Sequence, residues 1–296
     1  MGVIDSIEAL PRDLLASCRA MSAPGRVLMC PPDWFDVIDV KNPHMQNQVG
    51  HVDRAAARAQ WEALRATFAD CGAQVYTLPP VPECEDMVFC ANQTFVGLDA
   101  AGAPLCVPSR MKHASRRREV PAFERWFAQA GYRIAPLTAP GGFEGGGDAL
   151  WHPRRGLIWG GYGHRTEPQI YNELAALFDV PVVRLRLCSD RFYHLDTCLC
   201  ALDERTALVH AASFEPRGLE LIRALFSDVI ECPADEAETG MACNAAAIGE
   251  RSVVLQRGNP RTVAALRQRG FDAREVETGE YLRSGGSVFC MKMMWH

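Results

Sequence analysis

The chain has 296 residues, 48% of them hydrophobic and 23% charged, with a formal net charge of −5 at pH 7. That length accommodates one large domain or two small ones, and the apolar fraction is ordinary for a buried core. The acidic balance argues against nucleic acid or an anionic membrane as the main partner. The one basic run, Arg116-Arg117-Arg118, reads as a solvated helix start. No apolar stretch reaches the length of a membrane span, and the first residues lack the basic-then-apolar pattern of a secretory signal; the expectation is a cytoplasmic protein.

In chain order, residues 1–24 form a weakly amphipathic lead-in. A short strand follows at 26–30, stopped by Pro31-Pro32. The loop 33–50 is rich in Asn, Gln, His and Asp, too polar for core and long enough to carry function. A helix over 53–70 has Asp53 as N-cap, Trp61, Leu64 and Phe68 on one face, and Gly72 past its end; a strand follows at 74–78. A second helix, marked by Phe123, Trp126, Phe127 and Ala130, closes at Gly131 before a strand at 132–137. A third opens with a capping box, Thr166 and Gln169, and carries Ile170, Leu174 and Leu177; its strand is 182–187. Leu219, Ile222 and Leu225 mark a fourth, before 229–230. Pro260 suits the first position of a fifth, which has Val263 and Leu266 inward, ends at Gly270 and precedes strand 273–276.

Strand pairs precede these helices: 87–90 with 94–98, 148–151 with 157–159, 199–202 with 207–210, and 245–248 with 253–255. The unit is strand, strand, helix, strand, repeated about five times at roughly forty to sixty residues. Radial repetition brings one end of every unit to a common mouth. A doubly wound dinucleotide fold would need simple strand–helix alternation and a G-x-G-x-x-G turn, and neither is present. Gly145-Gly146-Gly147 leads into Asp148, an acid where a phosphate would sit. No linker stands out, so residues 1–296 are expected to be one domain, with 1–24 as its lead-in.

The twelve cysteines are scattered without a C-x-x-C, and most read as small buried apolar side chains. Four polar segments stand at strand ends. They are Glu85-Asp86 through Asn92; Phe143-Glu144 through Asp148; Tyr193-His194-Leu195-Asp196; and Ser284-Gly285-Gly286 through Cys290. Singly, each has a bland explanation: a turn cap, a surface acid, a satisfied core histidine, a buried thiol. Together they describe a thiolate attacking an electron-poor carbon, a histidine moving protons, and carboxylates holding a cation.

On these segments the sequence resembles the guanidine-modifying enzyme superfamily, which includes arginine deiminases, dimethylarginine dimethylaminohydrolases and amidinotransferases. The matching stretches are Asp86-Met87-Val88-Phe89, Phe143-Glu144-Gly145-Gly146-Gly147-Asp148, His194-Leu195-Asp196 and Gly285-Gly286 with Cys290. Further likeness to the arginine dihydrolase branch lies in Met29-Cys30-Pro31-Pro32-Asp33, Asn42-Pro43, Ser109-Arg110, and Gly161-Tyr162-Gly163 with Arg165. The resemblance implies an α/β fold: a five-bladed α/β propeller (pentein) of ββαβ repeats with pseudo-fivefold symmetry.

It also implies roles. Cys290 is the nucleophile. His194 protonates the departing nitrogen and then activates water against a covalent thiouronium. Asp86 and Glu144 grip the guanidinium, and Asp196 supports the same end. Arg110 and Arg165 pair with the substrate's α-carboxylate, and Asn42 and Asn92 line the site. No metal or cofactor is expected. The partner is a small guanidino substrate, not nucleic acid or membrane, and a homo-oligomer is left open. The expected reaction is metal-free hydrolysis of L-arginine to ornithine, ammonia and carbon dioxide. The alternatives are a dimethylaminohydrolase, a deiminase giving citrulline, or a non-catalytic propeller.

Two departures from the wider pattern bear on this. Asn92 stands where deiminases and dimethylaminohydrolases place a second carboxylate. An amide both donates and accepts, so it suits a neutral ureido group and a second hydrolysis. Lys41 and His44 also differ from the branch and point to a tuned substrate preference. The extra glycine before Asp148 keeps that acid out of the expected catalytic set.

Overall fold

The structure, a computed structural model, describes residues 2–296. Its strands form five small sheets, each built on the same plan. In the second unit, Thr94–Leu98 runs antiparallel to Pro104–Pro108, which runs parallel to Arg133–Ile134. The antiparallel pair needs only a tight turn, whereas the parallel pair needs a crossover, supplied here by the helix Val120–Gln129. The same order recurs with Ala149–Trp151, Ile158–Tyr162 and Val182–Arg186; with Leu199–Ala201, Thr206–Val209 and Asp228–Glu231; and with Ala246–Ile248, Ser252–Gln256 and Asp272–Val276. The architecture is α/β and propeller-like.

The remaining sheet joins the two ends of the chain. Met293–Trp295 pairs antiparallel with Arg26–Met29, which pairs parallel with Gln74–Thr77. Trp295 is held by edge-on aromatic contacts to Trp126 and Tyr76, with centroids 5.0 and 5.2 Å apart. Outside the sheets, the helix Arg54–Asp70 buries Trp61, Leu64 and Phe68, and Asp53 caps it by accepting from the backbone N–H groups of Ala55 and Ala56. No helix among the described residues is long and apolar enough to cross a membrane.

Several local expectations are corrected. Residues 87–90 are turns, not a strand, and the partner of Thr94–Leu98 is Pro104–Pro108. A short apolar run buried on every side has no period with which to tell strand from turn. The strand at 132–137 shrinks to Arg133–Ile134, because Pro136 has no N–H for the ladder. Thr166 caps no helix. Its hydroxyl donates to Asp148 at 2.7 Å and accepts from the Glu144 N–H, and the helix starts at Ile170. The lead-in also contributes to a sheet, since Val3–Ile4 adds a parallel edge to Val182–Arg186.

Candidate active site

The first strand of each antiparallel pair is entered through a turn, and each turn holds a buried polar group. Asn92 precedes Thr94–Leu98, Asp148 precedes Ala149–Trp151, Asp196 precedes Leu199–Ala201, Asn244 precedes Ala246–Ile248, and Cys290 precedes Met293–Trp295. Repetition thus brings polar side chains from distant sequence positions together: Asn92 and Cys290 line one pocket, and Asp196 and Asn244 contact Cys290. Two glycines permit the crowding. A Cβ on Gly147 would collide with the Asn92 amide and stand 3.3 Å from the His194 ring. Gly285 has φ +78°, and a Cβ there would lie 2.8 Å from Asn42 Oδ1.

Cys290 sits in the turn before the last strand, 3% exposed. Its thiol donates to Asp196 Oδ2 at 3.1 Å and receives a hydrogen bond from Asn244 Nδ2, also at 3.1 Å. Burial pushes the thiol well above its usual range and the Asp196 carboxylate adds to this, while Asn244 opposes it. Asp196 is itself pushed up to about 7 by burial. Its Oδ1 has no hydrogen-bond partner among the described residues. The resting pair is therefore poor in negative charge, and a cation in the pocket would draw the proton off sulfur.

His194 is buried, with Nε2 2.7 Å from Glu144 Oε2. Burial lowers its pKa to about 4, against the pull of Glu144. Burial raises the Glu144 carboxyl, but the hydrogen bond and charge of His194, with Arg165 and Arg116, hold it well below the ordinary range. An ionised Glu144 accepts, so Nε2 carries the proton and Nδ1 keeps its lone pair. Nδ1 faces Asn92 Nδ2 at 3.5 Å. Glu144 does not reach the pocket. Its Oε1 accepts from the Lys112 N–H and its Oε2 serves His194 and Arg165. The acid expected to grip a guanidinium stands behind the histidine.

The pocket itself is lined by Asp86, Asn92, Asn42, Arg165, Tyr193 and Cys290, among others. Asp86 Oδ1 accepts from Ser284 Oγ at 3.2 Å. Its buried Oδ2 stands 3.1 Å from Lys41 Nζ but takes no hydrogen bond, so an acceptor remains for an incoming donor. Lys41 also pairs with Glu85 at 2.8 Å and with Asp39. Burial would lower its pKa, but those three carboxylates outweigh it and keep the ammonium charged. Asn42 Nδ2 donates to Ser284 O at 2.9 Å and to Tyr193 OH at 3.3 Å, tying the polar loop to the Gly285 turn. Arg165 stacks over the Tyr193 ring at 4.6 Å and donates to Lys41 O. Arg110 lies apart from this pocket. Its guanidinium donates to the carbonyls of Ala139 and Gly141 and is occupied there.

The basic run is also corrected. Arg116 is 6% exposed and donates to Asn92 Oδ1 at 3.0 Å, while pairing with buried Glu119 at 3.2 Å. Arginine only donates, so the Asn92 oxygen must face it and the Asn92 N–H₂ must face His194 and the pocket. Arg116, Lys41 and Asn244 were not anticipated in these positions. Asn244 had one available signal, since it precedes the first strand of its unit, Ala246–Ile248, as Asn92 precedes Thr94–Leu98.

The chain is similar to several known proteins. A family described as N,N dimethylarginine dimethylhydrolase, eukaryotic, matches residues 36–296. The N(G),N(G)-dimethylarginine dimethylaminohydrolase of Mycobacterium tuberculosis is 36% identical over 271 residues, covering 92% of this chain and 86% of its own. The bifunctional arginine dihydrolase/ornithine cyclodeaminase ArgZ of Synechocystis sp. is 34% identical over 270 residues. That match covers 90% of this chain and 37% of ArgZ, so the chain spans little more than a third of that relative. The crystal structure of the N-terminal domain of ArgZ bound to substrate superposes with a TM-score of 0.86 at 33% identity, covering 91% of this chain and 97% of that domain.

Proposed function

The chain belongs to the guanidine-modifying hydrolases that include the dimethylarginine dimethylaminohydrolases and arginine dihydrolases, and from that membership we propose that it hydrolyses L-arginine twice, to ornithine, carbon dioxide and two ammonia. The supporting observation is the fixed orientation of Asn92. Because Arg116 holds its oxygen, it offers the pocket donors only. A guanidinium is all donor and gains nothing from such a group, whereas a ureido oxygen is an acceptor that it fits.

In the first round Asp86 Oδ2 takes guanidinium N–H groups and fixes the carbon near sulfur. The thiol proton leaves as the S–C bond forms, with Asp196 as its first acceptor and the substrate cation offsetting the thiolate charge. The C–N bond breaks as nitrogen gains a proton by way of His194. Water then gives a proton to His194 Nδ1 and adds to the thiouronium carbon. The C–S bond breaks, releasing citrulline and restoring the thiol. In the second round the ureido oxygen accepts from Asn92, and the same steps release ammonia and the carbamic acid of ornithine, whose remaining C–N bond breaks to give ornithine and carbon dioxide. Arg165 is assigned to the α-carboxylate.

Dimethylarginine is the second reading, favoured by the matched family and the mycobacterial relative. Incubation of the purified protein with arginine, citrulline and dimethylarginine separates the two. Ornithine from both arginine and citrulline supports double hydrolysis. Citrulline accumulating from arginine, or turnover of dimethylarginine alone, refutes it.

A further inference from the structure

Behind the reacting centre lies a second cavity of about 290 Å³. Its lining includes Ala91, Gly146, Cys200, Ala247 and Phe289, each in or just before the first strand of a different sheet's antiparallel pair, so it draws on all five units as the central axis does. The catalytic pocket and this cavity share no lining residue, and the turn from Phe289 to Lys292 separates them: Cys290 faces one and Lys292 the other. The walls are largely apolar, with Phe95, Leu150, Trp151, Leu202 and Met293.

Lys292 is the anomaly in this cavity. It is 4% exposed, and its Nζ lies 3.4 Å from the Phe289 ring centroid. Among the described residues its ammonium takes part in no hydrogen bond or ion pair. Burial lowers its pKa to about 8, with Cys200, Asp196 and Cys290 opposing the drop, so it is still charged at neutral pH. The rim acids do not serve it. Glu204 pairs with Arg155, Glu250 with Arg154, and Asp203 accepts from the Arg205 and Thr206 N–H groups. A buried charge without a counter-charge is costly, and here it opens onto a space with apolar walls.

We propose that this cavity is a second ligand site, taking a small monocarboxylate with an apolar body whose carboxylate pairs with Lys292. The apolar walls select against amino acids, so neither substrate nor product of the reaction fits it. The occupant's negative charge would stand one turn from Cys290, adding to the field of Asp196 and disfavouring the thiolate. The site is thereby a brake on the chemistry in front of it.

The test is titration calorimetry with octanoate, using 1-octanol as the neutral control and the full chain as protein. Octanoate is expected to bind, and octanol to bind about tenfold more weakly or worse, the loss of one charged anchor. Lys292→Met should weaken octanoate to the level of octanol. Ala201→Trp, which fills the cavity and keeps Lys292, should abolish binding and guards against misfolding of the first variant. Cys290→Ser protein saturated with arginine should still bind octanoate. Equal affinity for octanoate and octanol, unchanged affinity in Lys292→Met or in Ala201→Trp, displacement by arginine, or no binding at millimolar octanoate would each overturn the proposal.

Discussion

Asn244 holds Cys290 from both sides: Nδ2 donates to its sulfur at 3.1 Å, and Oδ1 accepts from its backbone N–H at 3.3 Å. The same oxygen accepts from the Ser287 N–H at 3.1 Å, and Nδ2 also reaches Asp196 O at 2.9 Å. One amide thus fixes the nucleophile's turn and is the neutral donor opposing the upward push on its thiol. Asn244→Ala is expected to lower kcat/KM by about ten- to a hundredfold. Alkylation by a haloacetamidine should show the thiol titrating at higher pH than in the native enzyme. An unchanged alkylation profile would mean that the amide shapes only the turn.

Asn92→Asp replaces the pocket-facing donors with a carboxylate that keeps Arg116 as a partner. The first hydrolysis should survive, because a second acid favours a cation. Ornithine formation should fall by about a hundredfold, comparable to losing a hydrogen bond made only in the transition state, and citrulline should accumulate. Amino-acid analysis of the products with time checks this. Undiminished ornithine would remove Asn92 from the second step.

His194 links the site to acid stability. Its pKa is about 4 in the folded chain against an ordinary 6.5, so the unfolded state binds the proton first as pH falls. Its contribution is complete above 6.5 and is lost between 6.5 and 4; Glu144, held low, is lost further down. Asp196 and Asp148, both pushed up by burial, titrate in the opposite sense, so the whole-protein curve mixes signs. The difference in Tm between native protein and His194→Gln isolates the histidine. That difference should shift against the native protein as pH is lowered from 6.5 to 4, read by scanning calorimetry in a pH series.

Gly147→Ala asks whether close approach, rather than backbone freedom, explains the glycine run. Its φ is not in the left-handed region, so alanine is tolerated by the backbone, but the new methyl meets the Asn92 amide and the His194 ring. Moving those groups by even part of an ångström should cost about a hundredfold in kcat. Circular dichroism should stay native. Full activity would show that the turn can give way elsewhere.

Much of the fold was legible because each unit writes its own helix and strands in local periodicity: Asp53 before Trp61, Leu64 and Phe68, or Pro260 before Val263 and Leu266. The site was legible only where a polar residue sat in a distinctive local setting, as with Asp86, His194 and Cys290. Arg116 looked like one of three solvated arginines, and only the tertiary placement of Glu119 and Asn92 buries it. Lys41 depends in the same way on Glu85 and Asp86, and Asn244 on a thiol far along the chain. Glu144 and Arg110 carried the right chemistry, but their partners direct one to His194 and the other to carbonyls. Such pairings leave no trace in spacing.

Three of the five sheets join only strands that are close together in the chain, and a fourth adds just the two-residue edge Val3–Ile4 from far away, but the sheet of Met293–Trp295 with Arg26–Met29 unites residues near its two ends. Contacts that span such long loops form slowly, because the entropy of closure comes before any gain from pairing. Cys290 is carried on that sheet's approach turn. During refolding from denaturant, helix and most strand signals should recover well before turnover does, and the lag should belong to this one junction. The reactive sulfur is thus timed to arrive last, so that partly folded molecules have a nearly complete scaffold and no chemistry.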